Sequence, residues 1–142
     1  MVPISRTMRV LMWIVIGVSV PEGLALYFGP EAWYTTIWGW TLTAMTARFT
    51  AGVYLSVSVA FLIGLRQTDW ERVKIPLAML WSFALIALVA AAYGLAFPGA
   101  TGPVVRLERP FMWVWLFLYV VSIVGGLYYH FVYPRKFGAK PW

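Results

Sequence analysis

The amino-acid sequence predicts an all-α membrane protein with four transmembrane helices in two hairpins. Three observations support this fold class. Of the 142 residues, 62% are hydrophobic and only 11% are charged, which is too apolar for a soluble domain of this length. Four apolar runs have about 20 residues each, and a helix of that length crosses a hydrocarbon core about 30 Å thick. None of the runs alternates apolar with polar residues, as the strands of a transmembrane barrel do.

The four runs lie within a single transmembrane domain of residues 1–142 and cover residues 10–28, 46–65, 75–97 and 111–133. Successive spans run antiparallel, so we expect the first two and the last two to form hairpins. The connection RQTDWERVK between the second and third spans is short and polar, which predicts that these two helices are neighbours as well. Asp69 in this connection is expected to cap a turn. Pro76 falls in the first turn of the third helix, where a proline is tolerated.

Basic residues predict the orientation in the membrane. Eight of the eleven Lys and Arg residues lie in the two terminal segments and the middle connection: Arg6, Arg9, Arg66, Arg72, Lys74, Arg135, Lys136 and Lys140. Because Lys and Arg collect in short cytoplasmic segments, we expect both termini in the cytoplasm. An even number of spans agrees, since it puts both termini on one side. The net charge of +6 is scattered over short segments, which argues against a nucleic-acid-binding face.

Two further features narrow the class. The chain has no Cys, which excludes disulfides, thiol redox couples and thiolate metal sites. The first apolar run is long enough for a full span and no small-residue cleavage site follows it, so we expect an uncleaved membrane anchor. The sequence contains no recognisable nucleophile–base–orienter set and no glycine loop for phosphate, so we assign no catalytic residues.

Glu22 and Arg48 are charged residues placed well inside spans. Glu22 lies about six residues, or about 9 Å, below the end of the first span, and Arg48 lies at a similar depth in the second. Because an unpaired charge in a bilayer is costly, we expect the two side chains to meet between the first two helices. One interpretation is a structural ion pair, and the other is a ligand pocket with this pair as its polar wall. Pro21 is expected to kink the first helix and free the carbonyl of Gly17.

His130 is the only His in the chain and falls near the end of the fourth span, in GGLYYHFVYP. It is a candidate axial ligand for a haem or a chlorophyll-type pigment, with Gly125 and Gly126 making room for a flat ring. A haem held by two His residues would need a second His, which the chain lacks. The alternative is an amphipathic anchor at the membrane interface beside neighbouring Tyr residues. The sequence requires no cofactor and no metal, and lipid, quinone or a pigment with one His ligand are all compatible with it.

The stretch WGWTLTAMTAR, residues 38–48, leads into the second span. Aromatic residues here and just before it are typical of an interfacial belt, so we expect the first outer connection to lie along the membrane surface. The members of this predicted belt are Trp33, Tyr34, Trp38 and Trp40. The hydroxyl groups of Thr43 and Thr46 are expected to satisfy backbone donors where the helix begins.

The same stretch resembles a motif found in a group of small bacterial four-helix integral membrane proteins of unassigned function. Their pattern before the second helix is W-P-W-x-L-T-P-L-T-A-R, and the matching residues here are Trp38, Trp40, Leu42, Thr43, Thr46, Ala47 and Arg48. Gly39 and Ala44 stand where the pattern has Pro. The resemblance implies the four-helix architecture and a multi-pass location in the bacterial inner (cytoplasmic) membrane, and it brings no activity.

Three functions are compatible with these observations. The first is a structural or accessory subunit of a larger membrane complex, for example an energy-converting one. The second is a binder or carrier of a small lipophilic molecule (quinone, lipid or pigment) in a pocket between the first two helices. The third is a membrane enzyme, whose chemistry would have to rest on one carboxylate, one Arg and a distant His. We expect the first, with the lipid bilayer and other membrane subunits, or further copies of the chain, as partners.

Overall fold

Four long helices form a bundle in the computed structural model, which describes residues 1–100, 102 and 104–142. The α-helices are α1 (Arg6–Phe28), the short α2 (Tyr34–Ile37), α3 (Ala44–Gly64), α4 (Lys74–Ala96) and α5 (Pro110–Leu127). Single 3-10 turns occur at Glu31–Trp33 and Trp70–Arg72, and α5 continues into a wide π-type turn (Tyr128–Val132) and a 3-10 turn (Pro134–Phe137). All four predicted spans are helical and apolar enough to cross a membrane, so the predicted fold class is confirmed.

The helices pair as two hairpins. α1 packs mainly against α3, and α4 packs mainly against α5, while α1 also contacts α5. The prediction that the short middle connection makes α3 and α4 close neighbours holds only weakly, because these two helices contact each other slightly. A groove is therefore left along α3 on the side of α4.

Local sequence signals explain where the helices begin. The Ser5 hydroxyl accepts a hydrogen bond from the Met8 N–H at 3.1 Å and so caps α1. α5 begins at Pro110. A proline is tolerated there because the first N–H groups of a helix have no acceptor within the helix. The Asp69 carboxylate accepts from the Glu71 N–H at 3.3 Å and caps the turn before α4.

The end of the bundle that holds both chain termini and the middle connection is called the terminal end. Its centre is Trp70, which is completely buried. The Trp70 backbone N–H donates to the Val2 carbonyl at 2.8 Å, and the Ile4 N–H donates to the Thr68 carbonyl at 3.2 Å. The Trp70 indole N–H donates to the Tyr129 carbonyl at 2.7 Å. The N-terminal segment, the middle connection and the end of α5 are thus joined around one indole.

The wide turn at the end of α5 supplies further contacts at the terminal end. Its backbone bond runs from the Tyr133 N–H to the Tyr128 carbonyl at 2.9 Å, five residues apart. The Tyr133 hydroxyl donates to the Pro3 carbonyl at 2.8 Å, and Arg9 of α1 donates to the carbonyl of Gln67 at 3.0 Å. The opposite end, which holds the two remaining connections, is called the loop end. Thr101 and Pro103 of its Gly- and Pro-rich connection lie outside the described residues.

Candidate functional site

Trp38, which the sequence places in an interfacial aromatic belt, is a core residue of the loop end. Its side chain is only 3% exposed. The ring centroids of Trp40, Tyr54 and Trp115 lie 5.0, 5.9 and 6.4 Å from that of Trp38. Trp33, by contrast, is 53% exposed and remains free to face lipid. The segment after α2 therefore turns into the bundle and closes it with an aromatic cluster.

Gly39 lies close to the Met112 side chain at this point. A Cβ on Gly39 would lie 2.2 Å from the Met112 sulfur, so Met112 would have to shift to admit a side chain at position 39. The Arg109 guanidinium donates to the Trp38 carbonyl at 2.7 Å, and the Arg106 N–H donates to the Gly39 carbonyl at 2.7 Å. Both loop-end connections are tied together by these bonds, which the sequence did not predict.

Thr43 and Thr46 lie where α3 begins. The Thr43 hydroxyl oxygen accepts from the Thr46 N–H at 3.3 Å, and the two hydroxyl oxygens are 2.9 Å apart. Thr43 is therefore the N-cap of α3. Thr43 and Thr46 thus form hydrogen bonds where α3 begins, as expected from their residue type.

Glu22 and Arg48 do not form the predicted ion pair, since none of the salt bridges between described residues joins them. The contact between α1 and α3 includes Gly23, where a Cβ would lie 3.0 Å from Leu55, and Ala47 lies on the buried face of α3. Glu22 and Arg48 adjoin Gly23 and Ala47 in sequence, and one residue turns a helix by about 100°. Arg48 is exposed and Glu22 is half-buried, and the two side chains line different cavities.

Glu22 instead lines a cavity of about 390 Å³ between α1, the segment containing α2, and the start of α5. Pro21, Trp33 and Phe111 also line it. The Glu22 Oε2 atom is buried and has no hydrogen-bond partner among residues 1–100, 102 and 104–142. This cavity, named the Glu22 cavity, holds an unsatisfied carboxyl oxygen inside a membrane span.

Arg48 lines a different space, a groove of about 570 Å³ along α3 that we name the α3 groove. Its floor is a row of small residues at every fourth position, Gly52, Ser56 and Ala60. Met79 of α4 lies on one side, and the exposed Arg48 lies near the loop end. The 16 residues from position 45 to position 60 extend for about 22 Å at helical rise, which is most of the hydrocarbon thickness.

A small polar cluster lies in the bundle core. The hydroxyl oxygens of Tyr54 on α3 and Tyr119 on α5 are 2.9 Å apart, and the Tyr119 ring stacks on Trp115 at 4.0 Å. Next to them is a cavity of about 20 Å³ lined by Ser19 and Ser122, which has room for about one water molecule. Nothing in the local sequence around either Tyr signalled this pairing.

His130 is buried in the wide turn at the terminal end. Its ring centroid lies 6.2 Å from those of both Trp70 and Trp81. A Cβ on Gly126 would lie 2.6 Å from the Trp81 Cβ, and a Cβ on Gly125 would lie 2.9 Å from Leu11. The two glycines thus allow close approach of α4 and α1, and the space assigned to a flat pigment ring is filled by these side chains.

Across the described part of the chain, no three His, Asp or Glu residues lie close enough together to hold a metal ion. The chain matches no protein-family description, no curated protein and no solved structure at a significant level. The resemblance of residues 38–48 to the small four-helix group therefore stays a prediction. The fold and the two cavities, at Glu22 and at Arg48, are the basis for assigning a function.

Proposed function

We propose that this multi-pass membrane protein is a non-catalytic accessory subunit of a larger membrane assembly, and that a transmembrane helix of another subunit docks in the α3 groove. The observation that supports this proposal is the row of small residues along the groove. Small residues at every fourth position allow two helix backbones to approach closely within a bilayer. Gly52, Ser56 and Ala60 form such a row over two helical turns.

The described residues leave Gly52 in this row without a contact. A Cβ on Gly52 would meet none of their atoms within 4 Å, whereas one on Gly23 or Gly126 would meet a neighbouring helix at 3.0 Å or less. Gly23 and Gly126 therefore lie where helices of the chain pack together, whereas Gly52 faces open space. A docked helix would provide the missing contact.

Arg48 adds a charge requirement to the groove. The side chain is exposed, five positions into α3, and no described residue forms a salt bridge with it. An Arg near the edge of a span is stabilised by reaching the interface or by an anionic partner. A docking helix with a carboxylate near its loop-end turn would complement the groove in charge as well as shape.

The groove favours a different subunit over a second copy of the chain. A two-fold dimer pairs the same surface on both protomers. Two grooves placed face to face would leave the space between their floors unfilled. The partner should therefore present a ridge, which a single transmembrane helix does.

The experiment compares two leucine variants in native membranes. Gly52→Leu should fill the groove without a clash inside the described part of the chain, and Gly17→Leu is the matched control, since a Cβ on Gly17 also meets no described atom within 4 Å. Each tagged variant is extracted in mild detergent and its co-migrating proteins are quantified. We expect wild type and Gly17→Leu to carry a stoichiometric partner and Gly52→Leu to lose it. A wild-type protein that migrates alone, or a Gly52→Leu variant that keeps its partner, would contradict the proposal.

We also propose the orientation and membrane. The terminal end contains the three segments that hold eight of the eleven basic residues, so this end faces the cytoplasm by the distribution of Lys and Arg. The bacterial inner membrane follows only from the resemblance of residues 38–48.

A further inference from the structure

We propose that the Glu22 cavity binds a neutral lipophilic molecule of the quinone class, whose ring hydroxyl or carbonyl oxygen forms a hydrogen bond with the Glu22 carboxyl group. This inference concerns a different part of the molecule from the α3 groove and does not depend on the accessory-subunit proposal. It starts from the size and chemistry of the cavity. Small-molecule sites are concave, have volumes of about 300–1,000 Å³ and combine apolar walls with a few polar groups. The volume of about 390 Å³ lies in that range.

One polar atom in the lining lacks a partner, and a second has lost its usual one. Glu22 Oε2 is buried and unpaired among the described residues. Pro21 has no N–H, so the Gly17 carbonyl one turn earlier lacks its usual helical donor, and both residues line the same cavity. Buried polar groups are normally satisfied, so a bound molecule with its own polar atoms would complete this wall.

The chemistry of the wall selects a neutral head group. An anion would be repelled by an ionised Glu22 and would find no counter-charge beside a protonated one. An ammonium group would have to leave water and enter a cavity within the hydrocarbon layer, which costs far more than moving a hydroxyl or a carbonyl there. A hydroxyl can donate to the carboxylate or to the Gly17 carbonyl, and a ketone oxygen can accept from a protonated Glu22.

Aromatic residues in the lining favour a flat ring. Trp33, from the turn before α2, and Phe111, in the first turn of α5, both line the cavity, and aromatic faces stack on planar rings. Gly17, Pro21 and Phe111 are exposed at the surface of the bundle, so the cavity opens sideways toward lipid. A lipophilic tail would remain in the bilayer while the ring enters between α1 and α5.

The test is a titration of the purified full-length protein in lipid nanodiscs with decylubiquinone, followed by quenching of tryptophan fluorescence. The wild type should show saturable quenching above the linear background that partitioning into lipid produces. Glu22→Leu should raise the apparent Kd by about tenfold, the scale of one lost hydrogen bond to a charged group. Glu22→Gln keeps a hydrogen-bonding amide and should stay within about threefold of wild type.

Matched controls separate this cavity from the α3 groove. Gly17→Leu should weaken binding because Leu would occupy the cavity, whereas Gly52→Leu and Arg48→Gln should bind as wild type does. Strictly linear quenching in the wild type, or equal Kd values for Glu22→Leu and wild type, would overturn the proposal. Loss of binding in Arg48→Gln would also overturn it, since Arg48 does not line this cavity. Co-migration with a partner subunit should be unchanged in Glu22→Leu, so the two proposals fail separately.

Discussion

Replacing Gly126 by Ala should destabilise the bundle by preventing α4 and α5 from packing closely. The added Cβ would lie 2.6 Å from the Trp81 Cβ and 3.4 Å from the Trp81 Cα. Carbon atoms pack at about 3.5–4.0 Å, so the contact is about 1 Å too short. The contacted atoms belong to or adjoin the backbone, so a rotamer change of Trp81 cannot relieve the clash. The helices themselves must separate.

Overpacking of this kind costs about 1–3 kcal/mol in well-packed cores, and we expect Gly126→Ala to lose stability in that range. The assay is unfolding of the purified protein in mixed detergent micelles, monitored by far-ultraviolet circular dichroism. Gly52→Ala is the control, since its Cβ meets open space and Ala favours helix over Gly by about 1 kcal/mol in water. Equal stability of Gly126→Ala and wild type, or a loss in Gly52→Ala as large as that in Gly126→Ala, would refute the packing geometry.

Three other predictions concern the two ends and the core. Trp70→Phe removes the indole donor of a buried 2.7 Å bond and should cost about 1–3 kcal/mol in the same unfolding assay, and a neutral result would contradict this role. Tyr54→Phe and Tyr119→Phe should show a coupling energy of about 0.5–1.5 kcal/mol in a double-mutant cycle, whereas strictly additive effects would mean that the 2.9 Å contact contributes nothing. Because the natural chain has no Cys, Lys140→Cys should be labelled by an impermeant thiol reagent only after cell lysis and Glu108→Cys in intact cells, and the reverse pattern would invert the proposed orientation.

The positions of the four spans could be predicted because hydropathy and helix length reflect the bilayer directly. The role of Thr43 as the N-cap of α3 could also be predicted, since an N-cap depends on residues within one turn. The two hairpins follow from chain order. How much α3 and α4 touch does not follow from order, because α3 packs mainly against α1 and α4 mainly against α5.

The candidate site was harder to predict because it depends on helix rotation. Depth arguments place Glu22 and Arg48 at matching levels, but a rotation of about 100° decides whether two side chains meet or line separate cavities. The burial of Trp38 was hard to predict for a similar reason, since an aromatic residue at a span edge suits both an interface and a core. The bond between Tyr54 and Tyr119 joins residues 65 positions apart, and no local pattern records such a contact.

The central claim, that the α3 groove docks a helix of another subunit, is tested most directly by photo-crosslinking in native membranes. A photoreactive amino acid is placed at Ser56 on the groove floor and, as a control, at Val120, an uncovered position at similar depth on α5. We expect Ser56 to crosslink to one protein partner and Val120 to lipid alone. Crosslinking of Ser56 only to lipid would contradict the claim.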